Sequence, residues 1–382
     1  MADEEGESDI LARGVEPGAD GPDDGAPVPA PRRRLRDRWV LLTALSLLLV
    51  VVVGGVSGVL VLRNSLEANI EYLGDPFADL PSRPPVATAD PAPEGEEEAT
   101  PAAPRTPVNI LVVGSDSRIS AGDPSQWEQG AQRTDAIMLV HLPADGENAY
   151  LMSIPRDSWV DVPGYGQAKI NAAFSYGGAP LLIQTFEQLT GVRIDHVAIT
   201  DFESFKAITD ALGGVEITLR EDLVNKGTLV APAGDQLLTG EQALLYVRQR
   251  KNLERGDFDR VQRKQAWMRS IFLRMRSQET LLAPQRWVPV LDAVSRSVAV
   301  DDGFTREVQE GLIRRAANLS ADDVRFFTVP LAGIGTSDDG QSIVLLDRPL
   351  FDPLMASIAE DRLAEYLAAH PDDVENLPWV AP

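Results

Sequence analysis

The stretch DHVAITDFESFKAITDALGGVEITL, residues 195–219, decides the fold class. DHVAITDF (195–202) is short, apolar and rich in β-branched side chains, and reads as a strand. SFKAITDALGG (204–214) reads as a helix stopped by Gly213-Gly214, and VEITL (215–219) as another strand. Working outward, NILVVG (109–114), AIMLVHL (136–142) and AYLMSIP (149–155) read as three earlier strands, and PLLIQTFEQLTG (180–191) as a helix ending at Gly191. Thr239 and Gln242 have capping-box spacing, so a helix is expected from there to about Val247. A long helix is expected from about Phe258, others over 285–299 and 304–318, strands at 324–329 and 343–346, and a last helix over 350–368. Strands and helices alternate through the middle. That predicts an α/β domain, a layered central β-sheet flanked by helices, preceded by one transmembrane helix.

The chain of 382 residues carries a formal charge of -23 and no cysteine, which excludes disulfides, thiolate nucleophiles and Cys-based metal sites. Its histidines, His141, His196 and His370, form no close pair, which argues against a zinc hydrolase. So acidic a chain also argues against nucleic acid as a partner.

Residues 1–38 read as a disordered cytoplasmic tail, acidic at first and poor in large apolar side chains. Residues 39–62 contain no charge, long enough for a membrane-spanning helix, and follow Arg32, Arg33, Arg34, Arg36 and Arg38. The positive-inside rule then predicts a single-pass protein of the cell membrane. Its N-terminus is expected in the cytoplasm and its catalytic domain outside it. A cleaved signal peptide is the rival reading, disfavoured by the length of the run and its late start. Residues 63–106 read as a stalk and a Pro/Glu-rich linker, and 107–382 as the folded domain.

Three strand ends carry polar residues that a core would reject: Ser115-Asp116-Ser117-Arg118, Arg133-Thr134-Asp135 and Arg156-Asp157. In an open α/β sheet such ends converge on one crevice. Asp116 and Asp135 there would suit Mg²⁺, with Mn²⁺ as a substitute, because that ion takes one or two carboxylates plus phosphate oxygens. Arg133 and Arg156 would face the same phosphates. Taken singly, each Asp reads as a turn residue and each Arg as a surface ion pair; together they read as a site. Lys169 is a further candidate phosphate contact, and Asn171 a helix N-cap.

YVRQRKNLERGDFDRVQRKQ (246–265) is a positive island in this acidic chain. Between Arg248 and Arg276 lie ten Lys or Arg and three acidic residues. A planar guanidinium binds two phosphate oxygens at once. If extended, Arg248 and Arg250 point the same way. At 100° per residue Arg260 falls at the edge of the helix's apolar stripe, Arg263 further round, and Arg269 opposite. Lys251, Arg255 and Arg269 read as solvated.

NILVVGSDSR, RTDAIMLVHL, SIPRDSWVDVPGYGQAKINAAFSYGG, TGVRIDHVAITDF, ALGGVEI and YVRQRKNLERGDFDRVQRKQ resemble, in order and spacing, the motifs of the LytR-CpsA-Psr family. The resemblance covers about 107–275. It implies an extracytoplasmic, membrane-anchored phosphotransferase. Such an enzyme moves a cell-wall glycopolymer from a polyprenyl-diphosphate carrier to a peptidoglycan hydroxyl and forms a phosphodiester. By motif, Asp116 and Asp135 are implied as the Mg²⁺ pair and Arg133, Arg156, Arg248, Arg250 and Arg260 as diphosphate-binding arginines. Asp116 and Asp157 are candidates for the base that takes the hydroxyl proton. Lys169, Asp157, Asp257, Gln262 and Arg263 are secondary substrate contacts. An apolar slot for the polyprenyl chain is expected between the sheet and the helices at 180–190 and 204–212, lined by Phe174, Leu182, Phe186 and Phe205. The sequence departs from the family at Asp259, where Gly is expected, and at Lys264, where Gln is common; Asp259 is expected to pair with a neighbouring Arg. A polyprenyl-diphosphate pyrophosphatase and a non-enzymatic carrier-binding or wall-binding module are the competing readings. The abundance of Ala, Arg, Gly and Pro suggests an actinobacterial source.

Overall fold

The computed structural model describes residues 70–87, 106–115, 134–249, 253–277, 284–296 and 298–382. Every described residue belongs to one compact unit within Leu60–Pro382. The expected tail and the span at 39–62 lie outside the described residues. The expectation of a single-pass membrane protein is corrected: among the described residues no helix is long and apolar enough to cross a membrane.

A mixed eight-stranded sheet forms the centre. Its strands are β1 (Glu71–Tyr72), β2 (Val108–Ser115), β3 (Thr134–Leu142), β4 (Ala149–Ile154), β5 (His196–Asp201), β6 (Val298–Val300), β7 (Val324–Thr328) and β8 (Glu375–Asn376). They lie in the order β1-β6-β5-β2-β3-β4-β7-β8. Strand β2 is parallel to β5, and β4 to β7, whereas β3 runs antiparallel between β2 and β4. The carboxyl ends of β2, β4, β5 and β7 therefore share one edge with the start of β3. The helices are α1 (Ile170–Thr190), α2 (Phe202–Ala211), α3 (Gly240–Arg248), α4 (Asp257–Arg276), α5 (Pro284–Ser295), α6 (Arg306–Asn318), α7 (Arg348–Ala359) and α8 (Leu363–Ala369).

Strand alternation sorts the sheet into two faces. Leu111, Val113, Ile137, Leu139, Met152 and Ile154 share a buried core with Ile170, Phe174, Leu182 and Phe186 of α1 and Phe351, Leu354 and Met355 of α7. The alternate residues Val112, Gly114, Ala136 and Met138 line a hollow with Lys264, Trp267 and Met268 of α4. Gln265 fastens α4 to this second face. It is fully buried, and its Nε2 donates to Ser153 Oγ (2.8 Å) and Phe327 O (2.9 Å). A second core joins α2, α3, α4 and α5 through residues such as Ile208, Leu244, Trp267 and Val290.

Several expectations change in detail. The strand at 215–219 does not enter the central sheet; it pairs antiparallel with Gly234–Leu238 and packs in the second core. The helix expected over 285–299 ends at Ser295, and 298–300 become β6, antiparallel to β5. The last helix is two, α7 and α8, broken at Asp361, whose φ of 56 leaves the helical region. Helix α1 begins at Ile170, before the expected start, with Lys169 in the N-cap position. Asn171 is therefore not the cap; its amide donates to Arg156 O at 3.2 Å. The capping box is as expected: Thr239 accepts from Gln242 N (3.4 Å) and Gln242 Oε1 accepts from Thr239 N (3.0 Å).

The assignment of 63–106 wholly to a linker does not survive. Strand β1 adds to the sheet edge through β6, and Leu73, Phe77 and Leu80 pack on the first core. Arg83 Nη2 lies 2.7 Å from Oε1 of the buried Glu187, which also accepts Ile194 N at 2.9 Å. Removing one partner of a buried pair leaves the other charge uncompensated. Arg83→Ala is expected to lower unfolding free energy by about 2 kcal/mol, below the fully buried case because Arg83 still touches water. Urea unfolding measures this, and no change would show that 70–87 lies outside the cooperative unit.

Candidate active site

The site begins with an irregularity in the sheet. Gly114 pairs with Ala136 and Ser115 with Thr134, so Asp135 is the extra residue of a β-bulge. A bulge bends its strand and re-aims a side chain. Gly114 permits the close approach: a Cβ there would sit 3.0 Å from Ala136 Cβ.

Around Asp135 charges alternate. Lys264 Nζ donates to the Asp135 carbonyl at 2.6 Å. The Asp135 carboxylate pairs with Arg156 Nη1. Arg156 Nε lies 3.5 Å from Asp157 Oδ2, and Asp157 Oδ1 lies 3.0 Å from Lys169 Nζ. The turn carrying Arg156 and Asp157 is fixed by its backbone. Ser158 O accepts from Ile170 N at 2.8 Å and Asp157 O from Val344 N at 2.9 Å. The side chains of Asp135, Asp157, Lys169 and Arg156 are 12%, 19%, 22% and 25% exposed. They are sheltered enough to strengthen electrostatics and open enough to meet a ligand.

Arg260 lines the same cleft as Asp135, Arg156, Asp157 and Lys264. One helical turn separates Arg260 from Lys264, and another separates Lys264 from Met268, which places all three on one face of α4. The cleft cluster holds four cations (Arg156, Lys169, Arg260, Lys264) and two carboxylates (Asp135, Asp157). Among the described residues of the cleft, cations thus outnumber carboxylates, a composition suited to an anion, in a chain of net charge -23. A narrow apolar slot adjoins it, sharing Ala136, Met138, Lys264 and Met268 as walls and continuing past Val112, Phe205 and Trp267. The slot is thus on the α4 face of the sheet. Phe174, Leu182 and Phe186, expected to line it, are ordinary core residues of the opposite face; Phe205 is the expected residue that does line it.

Asp116, Arg133 and Arg250 lie outside the described residues, as does Lys251. Arg248 is exposed in the last turn of α3, and Asp257 is the first residue of α4. Gln262 and Arg263 point away from the cleft. Gln262 Nε2 donates to Glu375 Oε1 at 2.8 Å; Arg263 donates to Pro382 O and to Tyr246 O (3.2 Å) and lies over the Tyr246 ring at 4.8 Å. Burial pushes the Tyr246 hydroxyl up to about 12 and draws the Arg263 guanidinium down from its ordinary value.

Nor are Arg255 and Arg269 merely solvated. Arg255 pairs with Asp259 at 3.0 Å and with Glu375, which fulfils the expectation for Asp259. Arg269 donates to Pro378 O (3.0 Å) and Trp379 O and lies over the Trp379 ring at 5.1 Å. Helix α4 therefore grips the C-terminal segment with one face and serves the cleft with the other. Lys264, noted in the sequence only as a departure, is a cleft residue. Its spacing of four from Arg260 was the signal for it.

Of the expected Mg²⁺ pair, only Asp135 lies among the described residues. Asp135 stands in the cleft among cations that would hold phosphate. Among the described residues no group of three or more His, Asp or Glu could hold a metal ion by itself. A hard cation bound here would complete its shell with ligand oxygens, as Mg²⁺ does.

A profile of the LytR_cpsA_psr family matches residues 86–356. The cell wall biosynthesis protein LcpA of Corynebacterium glutamicum is 36% identical over 278 residues, covering 63% of this chain and 53% of that protein. The probable cell wall biosynthesis protein LcpB of the same organism is 37% identical over 257 residues, covering 65% of this chain and 60% of that protein. The chain thus spans little more than half the length of these curated relatives. A solved structure of TagT bound to LI-WTA superposes with a TM-score of 0.53 at 25% identity, covering 67% of this chain and 90% of that one.

Proposed function

Because this chain belongs to the LytR_cpsA_psr family, we propose that it transfers a cell-wall glycopolymer from a polyprenyl-diphosphate carrier to a peptidoglycan hydroxyl. The observation that carries the reading is the cationic cleft at the sheet edge opening onto an apolar slot. The cluster suits a diphosphate and the slot suits the start of a lipid chain. LcpA and LcpB, named for cell wall biosynthesis, and TagT, solved bound to LI-WTA, are in keeping with it.

In this reaction the acceptor oxygen bonds to the glycan-side phosphorus. The bridging P–O bond breaks, and polyprenyl phosphate leaves with the bridging oxygen and its electron pair. The chemistry asks mainly for positioning and for offset of charge on the leaving phosphate. Arg156, Arg260, Lys264 and Lys169 supply that, with Arg133, Arg248 and Arg250 as further contacts. Asp135 with Asp116 would hold Mg²⁺ or Mn²⁺, which would offset charge on the phosphate oxygens. The hydroxyl proton goes to a carboxylate; we assign Asp157, which lines the cleft, over Asp116. An Asp157→Asn variant with unchanged kcat would remove it from that role.

The experiment is product analysis with a polyprenyl-diphosphate glycan, with and without peptidoglycan. Transfer predicts a glycan phosphodiester and polyprenyl phosphate only when acceptor is present. Glycan phosphate released equally without acceptor would make the protein a pyrophosphatase, and binding without turnover a carrier-binding module. Lys169→Ala is expected to lower transfer about tenfold, one charge-assisted contact being worth ~1.5 kcal/mol. The measured kcat/KM checks it.

A further inference from the structure

Tyr165 and Tyr176 form a pair of rings that neither core uses. Their centroids lie 4.6 Å apart with planes 20° from parallel, and both are exposed, Tyr165 at 57%. A stacked pair still offers an outer aromatic face to water.

The backbone presents these rings deliberately. Tyr165 caps the hairpin of Trp159–Val162 with Gly166–Lys169 and is flanked by Gly164 (φ +81) and Gly166 (φ +75). A Cβ added at either glycine would meet nothing within 4 Å, so the space beside the ring is open. Tyr176 immediately precedes the kink in α1, where Gly178 adopts φ 64 and ψ -156, a region essentially reserved to glycine. The exposed amide of Gln167 stands on the same hairpin.

That hairpin runs straight to the cleft. Its far end is Lys169, bonded to Asp157. Three residues of strand, ~10 Å, separate Lys169 from Gly166. The patch is only two rings, far below the 20–30 residues a side of a protein interface. It is flat, apolar and wet at its rim, which suits a pyranose ring: the C–H face stacks on the aromatic face while hydroxyls stay in water.

We propose that Tyr165 and Tyr176 are a stacking platform for the glycan strand of the acceptor, leading an amino-sugar hydroxyl to the cleft. The assignment rests on the transferase reading but is separable from it. β-1,4-linked N-acetylhexosamines carry equatorial substituents and so present the flat faces that such a platform needs.

The test uses the full chain and chitotetraose, a neutral probe of that strand, titrated by NMR. Saturable binding is expected for the wild type and for Tyr165→Phe, and binding about tenfold weaker for Tyr165→Ala and for Tyr176→Leu, which keeps apolar bulk without a ring. Arg156→Ala should bind the probe like the wild type, because the probe carries no phosphate. Absence of binding by the wild type, or unchanged binding by Tyr165→Ala and Tyr176→Leu with unchanged melting temperatures, would overturn the platform. Neither result bears on transfer itself, which loss of turnover in product analysis tests separately.

Discussion

Arg156→Ala is expected to lower glycopolymer transfer by about 10²–10³-fold while the melting temperature stays close to wild type. The size follows from removing a preorganised donor aimed at charge that develops in the transition state. Arg156 is central to the charge chain, pairing with Asp135 on one side and lying 3.5 Å from Asp157 on the other. Its loss withdraws a cation from the phosphate and leaves two carboxylates facing it. The fold should tolerate the change because the side chain lies at the open sheet edge, 25% exposed, and packs in neither core. Arg156→Lys should recover only part of the activity, since an ammonium cannot repeat the planar fork. Transfer above a tenth of wild type in Arg156→Ala would remove this residue from the machinery.

Trp267→Ala should fail in the opposite manner, losing stability by about 3–5 kcal/mol. Trp267 is 1% exposed, donates from Nε1 to Thr209 Oγ1 at 2.9 Å, and has Phe205 at 5.5 Å between ring centroids. Truncation leaves a cavity at the junction of α2 and α4 and removes the indole N–H that Thr209 Oγ1 accepts. Against the 5–15 kcal/mol typical of a domain, roughly a fifth or more of the total would go. Urea midpoints for the two variants separate scaffold from chemistry. A shift below about 1 kcal/mol for Trp267→Ala would mean that the second core is looser than its burial indicates.

Which side of α4 meets the cleft was only half resolved by helical arithmetic. The apolar stripe correctly put Arg260 at its edge, and the cleft is where that edge leads. For Arg263 and Arg269 the same arithmetic gave direction without a neighbour, and Gln262 and Arg255 were read without it. Water was expected for Arg255 and Arg269, and substrate for Gln262 and Arg263. The C-terminal segment, more than a hundred residues later, occupies that place. Glu375 and the carbonyls of 378–382 are acceptors that no local pattern announces. The apolar slot shows the same limit. Phe174 and Phe205 look alike in sequence, yet Phe174 of α1 packs on one face of the sheet and Phe205 of α2 packs with Trp267 of α4 on the other.

By itself the sequence determined the strand runs, the capping box at Thr239, the α/β class and the family, because hydrophobic period, turn residues and ordered motifs are local properties of a chain. It also placed Asp135, Arg156, Asp157 and Arg260 among the candidates. Tertiary structure alone decided that 70–87 join the sheet edge, that Asp135 stands on a bulge, and that Lys264 belongs with it. The reason is physical. Strand register, a bulge, and the choice of which helix face meets which sheet face are settled by long-range pairing and by burial summed over distant segments, and no window of sequence contains both partners.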